Sequence, residues 1–174
     1  MSVTYNGTNI GTILYESTDI SKGYYNSTEV FTKDHSEILH AGFTLDSGES
    51  RVPGPYDENG YNYNGSAPEK RKDEIIVLDV TNYSSISFSW NNDGSGNAWG
   101  TVWARVEPTV GGEVQEDTEI FDTAASSTGT TTIDTSSWTG NVSFKFEVYA
   151  HSESAYGSYT SRTILNVGDI MGNT

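Results

Sequence analysis

The sequence predicts an all-β fold: an antiparallel β-sandwich, jelly-roll-like, with long aromatic-rich loops and little helix. Three observations carry this. Apolar residues recur at every second position along most of the chain, while the three-and-four spacing of an amphipathic helix is nearly absent. The alternating runs are short and are separated by clusters of Gly, Ser, Thr, Asn and Asp, the residues that turns use. Only 34% of the 174 residues are hydrophobic, yet 11 Tyr, 6 Phe and 4 Trp are present, and each buried ring fills a large part of a core.

The elements follow in order. "SVTYNGTNIGTILY" sets Asn6-Gly7 between two alternating runs, a hairpin signal because both residues accept a positive φ. Residues 30–32 and 38–45 read as further strands. "PGPYDENGYNYNGSAP" (53–68) has no apolar period and holds three of the four prolines, so residues 51–73 read as one long loop. Connections of that length are usually functional. From Asp73 onward the alternation sharpens. "EIIVLDV" (74–80) is a nearly continuous apolar run, and "SSISFSW" (84–90) sends Ile86, Phe88 and Trp90 to one face and serines to the other. "NNDGSGN" (91–97) is a turn and "AWGTVWARV" (98–106) a strand. "EIFDTA", "TTTIDT", "NVSFKFEVYA" and "YTSRTILNV" supply four more, divided by "ASSTG", "SSWTG" and "HSESAYG". One domain over residues 1–174 results: a hairpin and strands over 1–50, the loop over 51–73, core strands over 74–167 and a C-terminal tail over 168–174.

Two stretches share a plan. "LDVTNYSSISFSW" (78–90) and "IDTSSWTGNVSFKFE" (133–147) each run apolar, Asp, any residue, Thr or Ser, any residue, aromatic, and then a strand containing Ser-Phe. Asp79 and Asp134 can cap the amides of a corner while Tyr83 and Trp138 plug the open end of the core. This is a strand-corner-strand unit used twice. The stretch from about Asp73 to Val167 resembles the C-terminal half of jelly-roll β-sandwiches among carbohydrate-binding modules and phage surface proteins, above all at the Asp-x-Ser-x-Trp-x-Gly corner of 134–140. The opening "SVTYNGTNIGTI" resembles the starts of small phage-encoded structural proteins. The resemblance implies a jelly roll with a virion-surface or carbohydrate-binding role.

Charge and composition exclude several classes. A net charge of −15 repels phosphate, so nucleic acid is not an expected partner. Three of the nine Lys and Arg residues sit together at Lys70, Arg71 and Lys72, between Glu69 and Asp73, and read as a solvated linker. With no cysteine, neither disulfides nor thiolate chemistry are available. The start lacks the basic and apolar regions of a signal peptide, and no apolar run approaches ~18 residues, so a soluble chain without a membrane partner is expected.

No Gly-x-Ser-x-Gly elbow, His-Glu-x-x-His pair or phosphate-binding glycine loop occurs, and no enzyme is expected. "YDENG" and "NNDGSGN" are oxygen-rich turns, which makes Asp57, Glu58 and Asp93 candidate ligands for a structural calcium ion, the one cofactor suggested. On the strand 98–106, Trp99, Thr101, Trp103 and Arg105 share one face and Val102, Ala104 and Val106 the other. If the small aliphatic face is the buried one, Trp99, Trp103 and Arg105 point outward as a platform for a glycan or a protein; the alternative is that the Trp face is buried, or is covered by the long loop or a neighbouring subunit. Tyr56, Tyr61 and Tyr63 belong to the same expected contact surface, because Tyr offers area at little rotamer cost. The expectation is a non-catalytic virion structural or display protein on the virion surface, a bacteriophage capsid decoration or tail component. It would self-associate as a homo-oligomer, contact other virion proteins and mediate adhesion. The alternative is a carbohydrate-binding module stacking glycans on exposed Trp and Tyr.

Overall fold

The computed structural model describes residues 36–52, 65–95, 100–122, 126–154 and 159–174, together with six short strands among residues 3–32. Those six form three antiparallel hairpins: β1 (Val3–Tyr5) with β2 (Thr8–Ile10), β3 (Leu14–Tyr15) with β4 (Thr18–Asp19), and β5 (Lys22–Tyr25) with β6 (Thr28–Thr32). In the first, Tyr5 pairs with Thr8, so the strands bracket Asn6-Gly7 as the sequence predicts.

Next come β7 (Ser36–His40), β8 (Phe43–Asp46), β9 (Ser50–Val52) and β10 (Gly65–Ser66). They are followed by β11 (Lys70–Asp79), β12 (Ser85–Asn92), β13 (Gly100–Val110) and β14 (Glu113–Val114). β15 (Thr118–Phe121), β16 (Ser127–Asp134) and β17 (Asn141–Ser154) precede β18 (Tyr159–Ser161), β19 (Ile164–Val167) and β20 (Ile170–Asn173). Every pairing is antiparallel, and no helix occurs among the described residues.

Two sheets make the sandwich. In the front sheet β17 is central, with β11 and the short β10 along one side and β13 along the other; β13 carries β14 and β15 on its far flank. In the back sheet β12 has β16 on one side and both β19 and β20 on the other, and these pair in turn with β8 and β7. A two-residue period sends one face of each strand inward. The front sheet contributes Ile76, Leu78, Ala104, Val106, Val142, Phe144, Phe146 and Val148, and the back sheet Ile86, Phe88, Ile133, Leu165, Val167 and Ile170, all in one buried cluster. Phe146 ties the layers together, meeting Phe88 edge-on at 5.3 Å and Phe43 at 5.1 Å. Burying each such side chain contributes roughly 1.5–3 kcal/mol.

At one end of the sandwich the core turns polar. Ser152, fully buried, donates from its amide to Ser50 Oγ at 3.0 Å and from its hydroxyl to Ser50 O at 2.9 Å, with Ser161 Oγ 2.8 Å away. This seam anchors the short β9–β18 pair. β17 therefore runs on through Ser154, past the end expected at Ala150, because the small Ser152 hydroxyl at an inward position finds partners.

The repeated corners lie at a crossing between layers. The first leads from β11 in front to β12 behind, and the second from β16 behind to β17 in front. Asp79 Oδ1 accepts from Thr81 N at 3.0 Å and from Thr81 Oγ1 at 2.6 Å, and Asp134 Oδ1 accepts from Ser136 N at 2.9 Å. Tyr83 N donates to Val80 O at 3.1 Å and Trp138 N to Thr135 O at 2.9 Å, the same turn in each copy. The copies are also bonded to one another. Val80 N reaches Gly140 O at 3.0 Å, Gly140 N reaches Thr81 Oγ1 at 2.9 Å, and the buried Thr135 gives its amide to Ser84 O and its hydroxyl to Tyr83 O. Register repeats the equivalence: Leu78 stands opposite Val142, and Ile133 opposite Ile86. The shared sequence plan is a clasp with local two-fold character.

Three expectations are corrected. Lys70, Arg71 and Lys72 are not a linker; they open β11, drawn into the sheet by pairing with Ala150, Tyr149 and Val148. The strand expected over 38–45 is broken at 41–42, where Gly42 sits so close to β19 that a Cβ would lie 2.5 Å from Val167 O, and its amide donates to Asp169 Oδ1. The expected tail 168–174 holds β20, an interior strand between β12 and β7.

Candidate contact surface

The outward face of the front sheet gathers the groups that could meet a partner. Alternation along β13 buries Val102, Ala104 and Val106 and leaves Trp103 and Arg105 half-buried on the outer side, as their sequence pattern implies. Across the sheet Trp103 stands opposite Tyr149 on β17, and Tyr149 opposite Arg71 on β11. Strand spacing brings these side chains into one row. The Trp103 and Tyr149 rings stack with centroids 5.0 Å apart and planes within 10°. The Arg105 guanidinium lies over the Trp103 ring at 3.9 Å, and that of Arg71 sits 4.9 Å from the Tyr149 centroid and 5.8 Å from that of Trp103. Each such cation–ring contact contributes about 0.5–1 kcal/mol where water has access.

Carboxylates hold the guanidiniums in place. Arg105 Nη1 pairs with Asp117 at 2.9 Å, and Arg71 bridges Glu69 at 3.3 Å and Glu147 at 3.5 Å. Roofed in this way, Tyr149 is only 8% exposed despite its outward position. Burial, followed by its hydrogen bond to Glu69, pushes the Tyr149 hydroxyl above the ordinary tyrosine range. Trp103, Arg105, Asp117, Glu119 and Asp122 border a shallow, acid-rich hollow. Farther along β11 the same face carries Ile75 and Val77, 58% and 57% exposed.

Of the residues picked from sequence, Trp103 and Arg105 are brought together. Trp99, Tyr56, Tyr61, Tyr63, Asp57 and Glu58 lie outside the described residues. Asp93 is exposed and accepts from Asn166 Nδ2 at 2.6 Å, while its amide donates to Ile164 O. Among the described residues no group of three His, Asp or Glu side chains is assembled that could hold a metal ion. Sequence reasoning missed Tyr149 and Arg71. The alternation in "NVSFKFEVYA" could have found Tyr149, since Ser143, Lys145 and Glu147 share its face.

No protein-family model matches the chain, and no curated protein matches it. Two solved structures show limited likeness. One is of infectious bursal disease virus, Gt strain, at 11% identity and a TM-score of 0.40; the other is of the Gx strain, at 10% and 0.29. Each likeness covers 99% of this chain and 45% of the other, so the chain spans less than half the length of those it matches. Likenesses of this size establish neither a shared fold nor a shared role.

Proposed function

We propose that the chain is a non-catalytic virion component, displayed on a phage capsid or tail, that associates with its own copies and with neighbouring virion proteins. One observation carries the reading: a sandwich with a filled core still presents an ordered row of rings and guanidiniums, plus the apolar pair Ile75 and Val77, on one sheet face. Exposed apolar and aromatic area gathered on one face supports a contact role. The net charge of −15 supports dense display, because like-charged copies resist indiscriminate aggregation. Immunogold labelling and co-sedimentation of purified particles test the role. Label on the particle exterior is the expected result. A chain recovered only from the soluble fraction, and never from particles, overturns it.

A second reading, a carbohydrate-binding module, is favoured by the outward Trp103. Sugars stack on a free ring face, yet here Tyr149 and Arg105 already engage the ring. A glycan would have to displace Arg105 from Trp103. Under this reading Asp117→Ala, which unties Arg105, raises binding on a glycan array, and Trp103→Ala abolishes it with the fold intact. Silence of both the unaltered chain and Asp117→Ala on every polysaccharide removes the reading.

A further inference from the structure

We propose that β11 is a self-association edge, on which a second copy of this chain pairs antiparallel and two-fold, centred on Ile75. The inference deepens the display reading and rests on its self-association. Among the described residues β11 has one neighbour on its long side, β17, so its other edge carries unpaired backbone groups along ten residues. Such an edge is a template for another strand. Its outward positions hold Ile75 and Val77, two of the four exposed large hydrophobics among the described residues. The β16 edge of the back sheet offers Thr128, Thr130, Thr132 and Asp134 at its exposed positions and has no comparable apolar pair.

Charge selects the occupant and the register. β11 carries Lys70, Arg71 and Lys72 at its start and Asp79 at its end, so two β11 strands laid antiparallel bring the basic end of each beside the acidic end of its partner. A register that keeps each layer's face must pair odd positions with odd ones. Centred on Ile75, it sets Ile75 against the partner's Ile75, Asp73 against the partner's Val77, and Arg71 against the partner's Asp79. A shift toward Lys70 sets Glu74 against the partner's Glu74, and a shift toward Asp79 sets Asp73 against the partner's Asp79. Like charges directly opposite are unfavourable, and only the centred register among these avoids them. Pairing of this kind uses the β11 edge of both copies, so this contact closes at two copies.

The absence of native cysteine makes the test clean. Sedimentation of the full chain over a concentration series should show a monomer–dimer equilibrium. Ile75→Lys should shift it to monomer while circular dichroism stays unchanged. Under mild oxidation Ile75→Cys should form a disulfide-linked dimer, and Val114→Cys, an exposed control on β14, should not. Three results overturn the proposal: a monomer at every concentration, a dimer that survives Ile75→Lys, or equal cross-linking of the two cysteine variants. A monomeric chain that still labels particles would remove the pairing and leave the virion role standing.

Discussion

Gly172 and Tyr83 share one small volume on the back sheet. A Cβ on Gly172 would lie 2.5 Å from Tyr83 Cδ1 and 2.8 Å from Cγ, and the ring is tethered by its hydroxyl donating to Glu37 Oε2 at 2.8 Å. Gly172→Ala therefore forces the ring out of place, and a cost of about 1–3 kcal/mol is expected from such overpacking. Urea unfolding measures it, and the cost should shrink in a Tyr83→Ala background, where the clash is gone. The same scale shows what alternation can and cannot reveal. Trp103 and Arg105 were legible as outward because Val102, Ala104 and Val106 claim the core. Tyr149 was not legible as roofed, because its cover comes from Trp103 and Arg71, distant in sequence and joined to it only by strand register.

Between elements, the paired corners make a prediction about pH. The carboxyls of Asp79 and Asp134 are held below the ordinary aspartate range, chiefly by the hydroxyls of Thr81 and Ser136 and then by the amides of those residues. The unfolded chain, lacking these bonds, takes up protons first as the pH falls. Stability from the caps is thus complete above the unfolded aspartate value, about 3.9, and is lost as the pH drops through the lowered folded values. Asn keeps the acceptor oxygen but does not titrate. The stability difference between the unaltered chain and Asp79→Asn/Asp134→Asn should be largest near neutrality and vanish in acid, read from urea midpoints across that range. A difference that stays constant with pH would contradict the assignment. The corners were legible in sequence because Asp-x-Ser/Thr-x-aromatic occurs twice. Their mutual bonding through Gly140 and Thr135 was not, since equivalence in sequence does not say that two copies touch.

For the molecule as a whole, most pairing is remote in sequence: Ser36 lies opposite Asn173, Lys70 opposite Ala150, and Gly100 opposite Ser152. Loop-closure entropy must be met before such contacts stabilise anything, so refolding of this all-β chain is expected in the millisecond-to-second range. Stopped-flow tryptophan fluorescence measures it, and relaxation complete within microseconds would show that local structure dominates. The two-layer antiparallel class was legible from period-two alternation and turn residues. β20 was not: Ile170 is its one large inward side chain, Gly172 yields its space to Tyr83, and four residues give too short a pattern to distinguish from a tail. Its place inside the back sheet governs how the protein can be made. A nascent chain still short of residues 170–173 lacks an inner stave of the layer, which leaves β7 without its neighbour and Ser85–Ser87 of β12 without theirs on that side. The part of the core that Ile170 closes stays open to water until that strand is in place.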